Sequence, residues 1–169
     1  MLKTINTIAV LLFLSGIFFM NSCINNDIPD RTAEMEKKEL DEAIAKLEKA
    51  NYNVDTTGLG IFYVMNKVGE GPFPSQGDTC SLIYTGFYLN GTIFDSSGLH
   101  FADSVWVFNY LQVSLIPGFN NGISLLNEGA EADIIIPSSL AYGATGYGEI
   151  PAYTPLVFNL KMKKLRQKK

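Results

Sequence analysis

The sequence predicts an α+β domain, a curved antiparallel β-sheet of about five to six strands wrapped around one short α-helix, with a further N-terminal helix in front of it. Three observations carry this. Apolar residues recur at three- and four-residue steps between Thr32 and Ala50, then alternate after Asn53, so the period changes from 3.6 to 2. Asn90-Gly91 separates two alternating runs, and both residue types accept the positive φ that a tight hairpin turn demands. Only one short helical stretch, Asn120 to Leu126, interrupts the strands.

The chain opens on a different kind of segment. Lys3 is followed by a nearly continuous apolar run without a charge from Ile5 to Met20. At roughly 16 residues it falls short of the ~20 that a spanning helix needs and has the length of a signal-peptide core. Met20-Asn21-Ser22-Cys23 follows directly, a Cys behind a small residue, which resembles a bacterial lipobox. The expectation is a lipoprotein signal peptide over residues 1–22 and lipidation at Cys23, whose several acyl chains would anchor the protein stably to a membrane. Residues 23–31 are polar and read as a tether.

Residues 32–50 read as the N-terminal helix. Thr32 can cap it, Glu34 and Glu36 fall in the first turn and Lys46 and Lys49 in the last, each on the side the helix dipole favours. Met35, Leu40, Ala43, Ile44, Leu47 and Ala50 line one face, which fits docking on the domain, a loose spacer or pairing with a second copy. Strands are expected at Leu59–Met65, Asp78–Tyr88, Thr92–Phe94, Val105–Phe108, Ala132–Ile136 and Leu156–Leu165. Asp95-Ser96-Ser97-Gly98 breaks the third of these, and a long Gly/Pro/Tyr loop spans Pro137 to Pro155. The folded domain therefore covers about residues 54–166.

Composition narrows the function. A net charge of −4 gives no global attraction to nucleic acid, and the basic end Lys161–Lys169 reads as a solvated tail. With Cys23 lipidated, only Cys80 remains, in an alternating apolar run where it reads as a small buried hydrophobe. The single His100 cannot build a metal site alone. No nucleophile–base pair or phosphate loop is present; Gly143–Gly148 lacks the strand and helix that a nucleotide loop requires. What stands out is a concentration of aromatic residues near turns.

Those aromatics fall in ordered motifs. Tyr84-Thr85-Gly86, Gly91-Thr92-Ile93-Phe94-Asp95-Ser96-Ser97, Ile116-Pro117-Gly118-Phe119, Leu140-Ala141-Tyr142-Gly143-Ala144-Thr145-Gly146, Ile150-Pro151 and Leu156-Val157-Phe158 follow one another over residues 57–166. In order and spacing they resemble the FKBP-type peptidyl-prolyl cis/trans isomerases. The resemblance implies an FKBP-like fold and a pocket for X–Pro segments of envelope or secreted proteins. It places Asp95, Tyr142, Ile116 and Phe119 in the catalytic positions, and Tyr84, Phe94, Trp106, Leu115, Ile150 and Phe158 around the substrate. Phe119 stands at the floor where many relatives carry Trp, Trp106 where Phe is usual, and Tyr147 where several have His. Residues Gly98 to Ser104 depart in length and lack the Arg common nearby. The resemblance implies no cofactor, proline-containing polypeptides as partners, and a macrolide as ligand of the same pocket. The signal and lipobox place the protein in a bacterial cell envelope, facing the periplasm or on the outer membrane. A non-catalytic proline-segment binding module or holdase is the alternative reading of the same pocket.

Overall fold

Alternation on the strands sorts the side chains into two layers, one on each face of a single sheet. The computed structural model describes residues 31–169. The expected signal peptide, Cys23 and the tether up to residue 30 lie outside the described residues.

The sheet contains β1 (Asp55–Thr56), β2 (Phe62–Lys67), β3 (Thr79–Tyr88), β4 (Ile93–Ser96), β5 (Trp106–Asn109), β6 (Glu131–Ile136) and β7 (Leu156–Arg166). Its order is β1-β2-β6-β7-β3-β4, with β5 also pairing β3, and every pair is antiparallel. The count is one above the expected range because β1 spans two residues, too few for any alternation to register. β2 starts at Phe62, later than expected, since Gly60 takes φ +95° and turns the chain. β4 and β5 share one edge of the long β3, opposite Thr85–Phe87 and Thr79–Leu82 respectively. The chain between them must leave the sheet and return, and it does so through a single helical turn, α2 (Ser97–His100), where the sequence suggested only a break.

Leu82 and Tyr84 of β3, Ala132, Ile134 and Ile136 of β6, and Leu156, Phe158 and Leu160 of β7 face one side and build the main core. Helix α3 (Pro117–Ser124) lies on that side. It begins before the expected Asn120 because Pro117 suits the first helical position, where its fixed φ fits and its missing N–H is not needed. It buries Gly118, Phe119, Gly122 and Ile123. A Cβ on Gly118 or Gly122 would collide with Ile136 or Ile134, so the two glycines let the helix axis approach β6 closely. Cys80 belongs to this core and is fully buried, and burial pushes its thiol up to about 11.

The opposite face carries Val64, Phe87, Ile135 and Val157. Helix α1 (Ala33–Lys49) docks there with Leu40 and Leu47, and Thr32 caps it by accepting the Met35 N–H at 3.2 Å. Full burial of each leucine contributes about 1.5–3 kcal/mol. The buried positions are Glu36, Leu40, Ala43 and Leu47. Met35 and Ala50, expected on this face, are exposed, and Glu36, expected only as a first-turn acid, is buried on it. Arg31, assigned to the tether, is pinned to the domain through the Tyr153 carbonyl at 3.0 Å.

Candidate active site

Tyr84 points from the middle of β3 into the core side of the sheet. Two residues on, Gly86 pairs with Asp95 on β4 and with Phe158 on β7. A Cβ at Gly86 would stand 2.7 Å from the Phe94 ring and 2.9 Å from that of Phe158. The glycine thus leaves room for two rings from the flanking strands to meet over it, which they do edge-on at 5.5 Å. Phe158 also meets Phe119 of α3 at 4.9 Å, and Tyr84 meets Phe119 at 5.7 Å and Trp106 of β5 at 6.0 Å, all edge-on. Edge-to-face pairs of this kind add about 0.5–1.5 kcal/mol beyond area burial.

Five of the predicted aromatics, separated widely in sequence, therefore form one contiguous cluster. Leu115, Ile116, Tyr142 and Ile150 pack against the same core, half-buried at its rim. Phe119 and Phe158 are buried, whereas Phe94 and Trp106 stay partly accessible, so the cluster has an open side. Trp106 also stacks on Phe108 at 4.1 Å. Ile116 is extended at φ −59°, ψ 142° just ahead of α3, and among the described residues its N–H has no backbone acceptor. Tyr142 lies in the loop between β6 and β7, its ring stacked on exposed Tyr147 at 5.2 Å.

Asp95 sits at the end of β4 beside this cluster. Its Oδ2 accepts the Tyr84 hydroxyl at 3.0 Å, and its Oδ1 accepts the Ser96 N–H at 2.8 Å. His100 Nε2 lies 2.7 Å from the same Oδ1. Because a carboxylate only accepts, that ring nitrogen carries the hydrogen. The sequence reading missed His100, considering it only as a metal ligand. Its signal was its place five residues after Asp95, in the segment that lacks the expected Arg; α2 turns its side chain back onto the carboxylate. Burial, the bond to Asp95 and that carboxylate's charge all push the Tyr84 phenol up. Burial, then Tyr147 and Asp95, raise Tyr142. Both phenols remain protonated donors at neutral pH.

The arrangement combines a contiguous aromatic cluster with a carboxylate held by three donors at its edge. These features define an FKBP-like domain. A sequence model of the FKBP-type peptidyl-prolyl cis-trans isomerase family matches residues 71–163, and the chain belongs to that family. A probable FKBP-type isomerase FkpA of Neisseria meningitidis serogroup B is 38% identical over 129 residues, covering 76% of this chain and 46% of the relative. The 22 kDa FKBP-type isomerase of Escherichia coli K12 is 33% identical over 110 residues, covering 64% of this chain and 52% of that protein. Thus the chain spans about half the length of the curated relatives it matches. Among solved structures, a peptidyl-prolyl cis-trans isomerase of Pseudomonas syringae pv. tomato superposes with a TM-score of 0.67 at 30% identity, covering 82% of this chain and 99% of that one. The crystal structure of FkpA from Escherichia coli gives 0.62 at 31%, covering 79% and 63%.

Proposed function

We propose that the domain catalyses cis/trans isomerisation of X–Pro bonds in envelope or secreted polypeptides, with the aromatic cluster as the prolyl pocket. The observation that carries this is the meeting of Tyr84, Phe94, Trp106, Phe119 and Phe158 beside the triply held Asp95. Family membership supports it.

The physics requires no acid or base. Rotation about an X–Pro bond faces a barrier of about 18–20 kcal/mol because amide resonance is lost. The planar amide has more charge separation than the twisted transition state, so an apolar enclosure favours the twisted form relative to water. Uncatalysed exchange takes ~10–100 s, and a turnover of ~10 per second requires about 10²- to 10³-fold, or roughly 3–4 kcal/mol. In this reading Phe119 and Phe158 form the floor, and Phe94, Trp106, Leu115 and Ile150 the walls. The Ile116 N–H and the Tyr142 hydroxyl donate to substrate carbonyls and fix the twist. Asp95, oriented by Tyr84, faces the reacting amide. A macrolide of the kind the family binds would occupy the same enclosure and compete with a proline peptide.

The upstream sequence supports lipid anchoring at Cys23 in a bacterial envelope. No helix among the described residues is long and apolar enough to cross a membrane. Cys23→Ala should release the protein from the detergent-extractable membrane fraction; unchanged fractionation refutes the anchor.

The deciding experiment is an isomerisation assay with a proline-containing peptide on the full chain, beside Phe119→Leu. Acceleration that the variant loses supports the enzyme. Binding of the peptide without acceleration supports the second reading, a holdase or proline-segment binding module. That reading draws on the exposed Ile93, Leu99, Val113 and Tyr147, apolar side chains on the segments that carry the site.

A further inference from the structure

We propose that helix α1 is a brace for the loop that carries Tyr142, with Glu36 and Arg31 as positioning residues for the active site. The proposal rests on the reading of Tyr142 as a substrate-orienting group. It starts from Glu36, a carboxylate only 7% exposed on the docked face of the helix. A buried carboxylate is costly unless hydrogen-bonded, so its partners indicate what it holds. They are both on one residue: the Ser138 N–H donates to Oε1 at 2.5 Å and the Ser138 hydroxyl to Oε2 at 2.6 Å.

Ser138 opens the 3-10 turn Ser138–Leu140 at the foot of the loop. Its carbonyl accepts the Ala141 N–H and the Gly143 N–H, each at 2.8 Å. These are the two amides that flank Tyr142. Gly143 in turn accepts the Tyr153 N–H at 2.8 Å through its carbonyl. The Tyr153 carbonyl accepts from Arg31 Nη2 at 3.0 Å and Nε at 3.3 Å, and Glu39 of α1 holds the same guanidinium at 2.5 Å. Two lines of hydrogen bonds, one from each end of the loop, therefore run from the helix segment and converge on Tyr142-Gly143.

The geometry gives this a consequence for activity. Tyr142 has no strand of its own; its backbone is placed by the Ser138 carbonyl, and Ser138 by Glu36. A displacement of about 1 Å in a substrate-positioning group is enough to cost a large factor in rate. Glu36 and Arg31 lie outside residues 71–163 that the family model matches, so this support comes from the segment in front of that match.

The test is amide hydrogen exchange together with isomerase kinetics on the full chain, comparing Glu36→Ala, Glu36→Gln and Arg31→Ala. Glu36→Ala should speed exchange at Ser138, Ala141 and Gly143 about tenfold or more beyond any change at Leu82 and Leu160 in the central strands. It should lower kcat/KM about three- to tenfold, mainly through kcat. Glu36→Gln, which still accepts the Ser138 N–H, should restore most of both. Should Glu36→Ala not fold, Arg31→Ala decides alone, with faster exchange expected at Tyr153 and Gly143. Unchanged exchange around Tyr142, or a uniform rise that includes the central strands, overturns the brace. Local loosening with unaltered kcat/KM overturns its role in positioning. If the unaltered protein shows no isomerase activity, the functional reading fails, while the exchange data still judge the brace.

Discussion

His100 Nε2 and Asp95 Oδ1 stand 2.7 Å apart, in a segment where the sequence had shown no support for that carboxylate. The Tyr84 hydroxyl and the Ser96 N–H share the carboxylate with it, and the Phe101 ring lies 6.3 Å from the imidazole. His100 is half-exposed and two other donors remain on the carboxylate, so His100→Ala should lower kcat/KM by only about two- to threefold. A loss of several orders of magnitude in a peptide isomerisation assay would give the imidazole a part in the chemistry beyond holding Asp95.

Tyr142→Phe removes one hydroxyl and leaves the stacked ring. With orientation as its role, the loss should be that of one net hydrogen bond, about 0.5–1.5 kcal/mol, or roughly two- to twelvefold in kcat/KM. Because Tyr84 and Tyr142 are both pushed up, neither phenol should contribute a pH step near neutrality. Complete inactivation would mean that the hydroxyl does chemistry rather than positioning.

Phe119 supports both stability and the pocket floor, touching Phe158 at 4.9 Å and Tyr84 at 5.7 Å. Phe119→Ala should cost about 3–5 kcal/mol in denaturant unfolding. Phe119→Leu keeps most of the volume and loses the flat surface, and it should lower kcat/KM by about tenfold while the fold persists by circular dichroism. Full activity in the leucine variant would separate the floor from catalysis.

Asp133 supplies a stability signature. It is buried between β2 and β7, accepting from Asn66 Nδ2 at 2.5 Å and Asn159 Nδ2 at 2.8 Å, and burial outweighs these bonds to raise it above the ordinary 3.8. The folded state therefore holds this proton more tightly than the unfolded chain. Its contribution is fully present below the ordinary value and is lost as pH rises through the raised one. Urea unfolding of Asp133→Asn should lack this decline, so the variant should gain on the unaltered protein as pH rises above the ordinary 3.8. A difference that shrinks as pH rises would reverse the sign of the shift.

Local pattern made much of the fold legible. Alternation located β3, β6 and β7, and the Asn90-Gly91 turn joined β3 to β4. The Thr32 cap placed the start of α1, and the motif order brought together the aromatic residues that the sheet now holds in contact. Boundaries were less legible. Pro117 begins α3 ahead of its apolar pattern, and β1 is defined only by its partner strand.

By itself the sequence determined periodicity, turn chemistry and the residue types of the pocket, because these depend on neighbours a few positions away. The tertiary structure decided what two distant segments do to each other. His100 became a partner of Asp95 only when β4 and β5 both paired with β3 and forced the chain between them to turn back. Glu36 in isolation is an acid in a helical first turn, where the dipole favours it and water solvates it. It became a buried ligand of Ser138 because docking α1 on the sheet removed that water, and a desolvated carboxylate must find donors wherever the fold presents them.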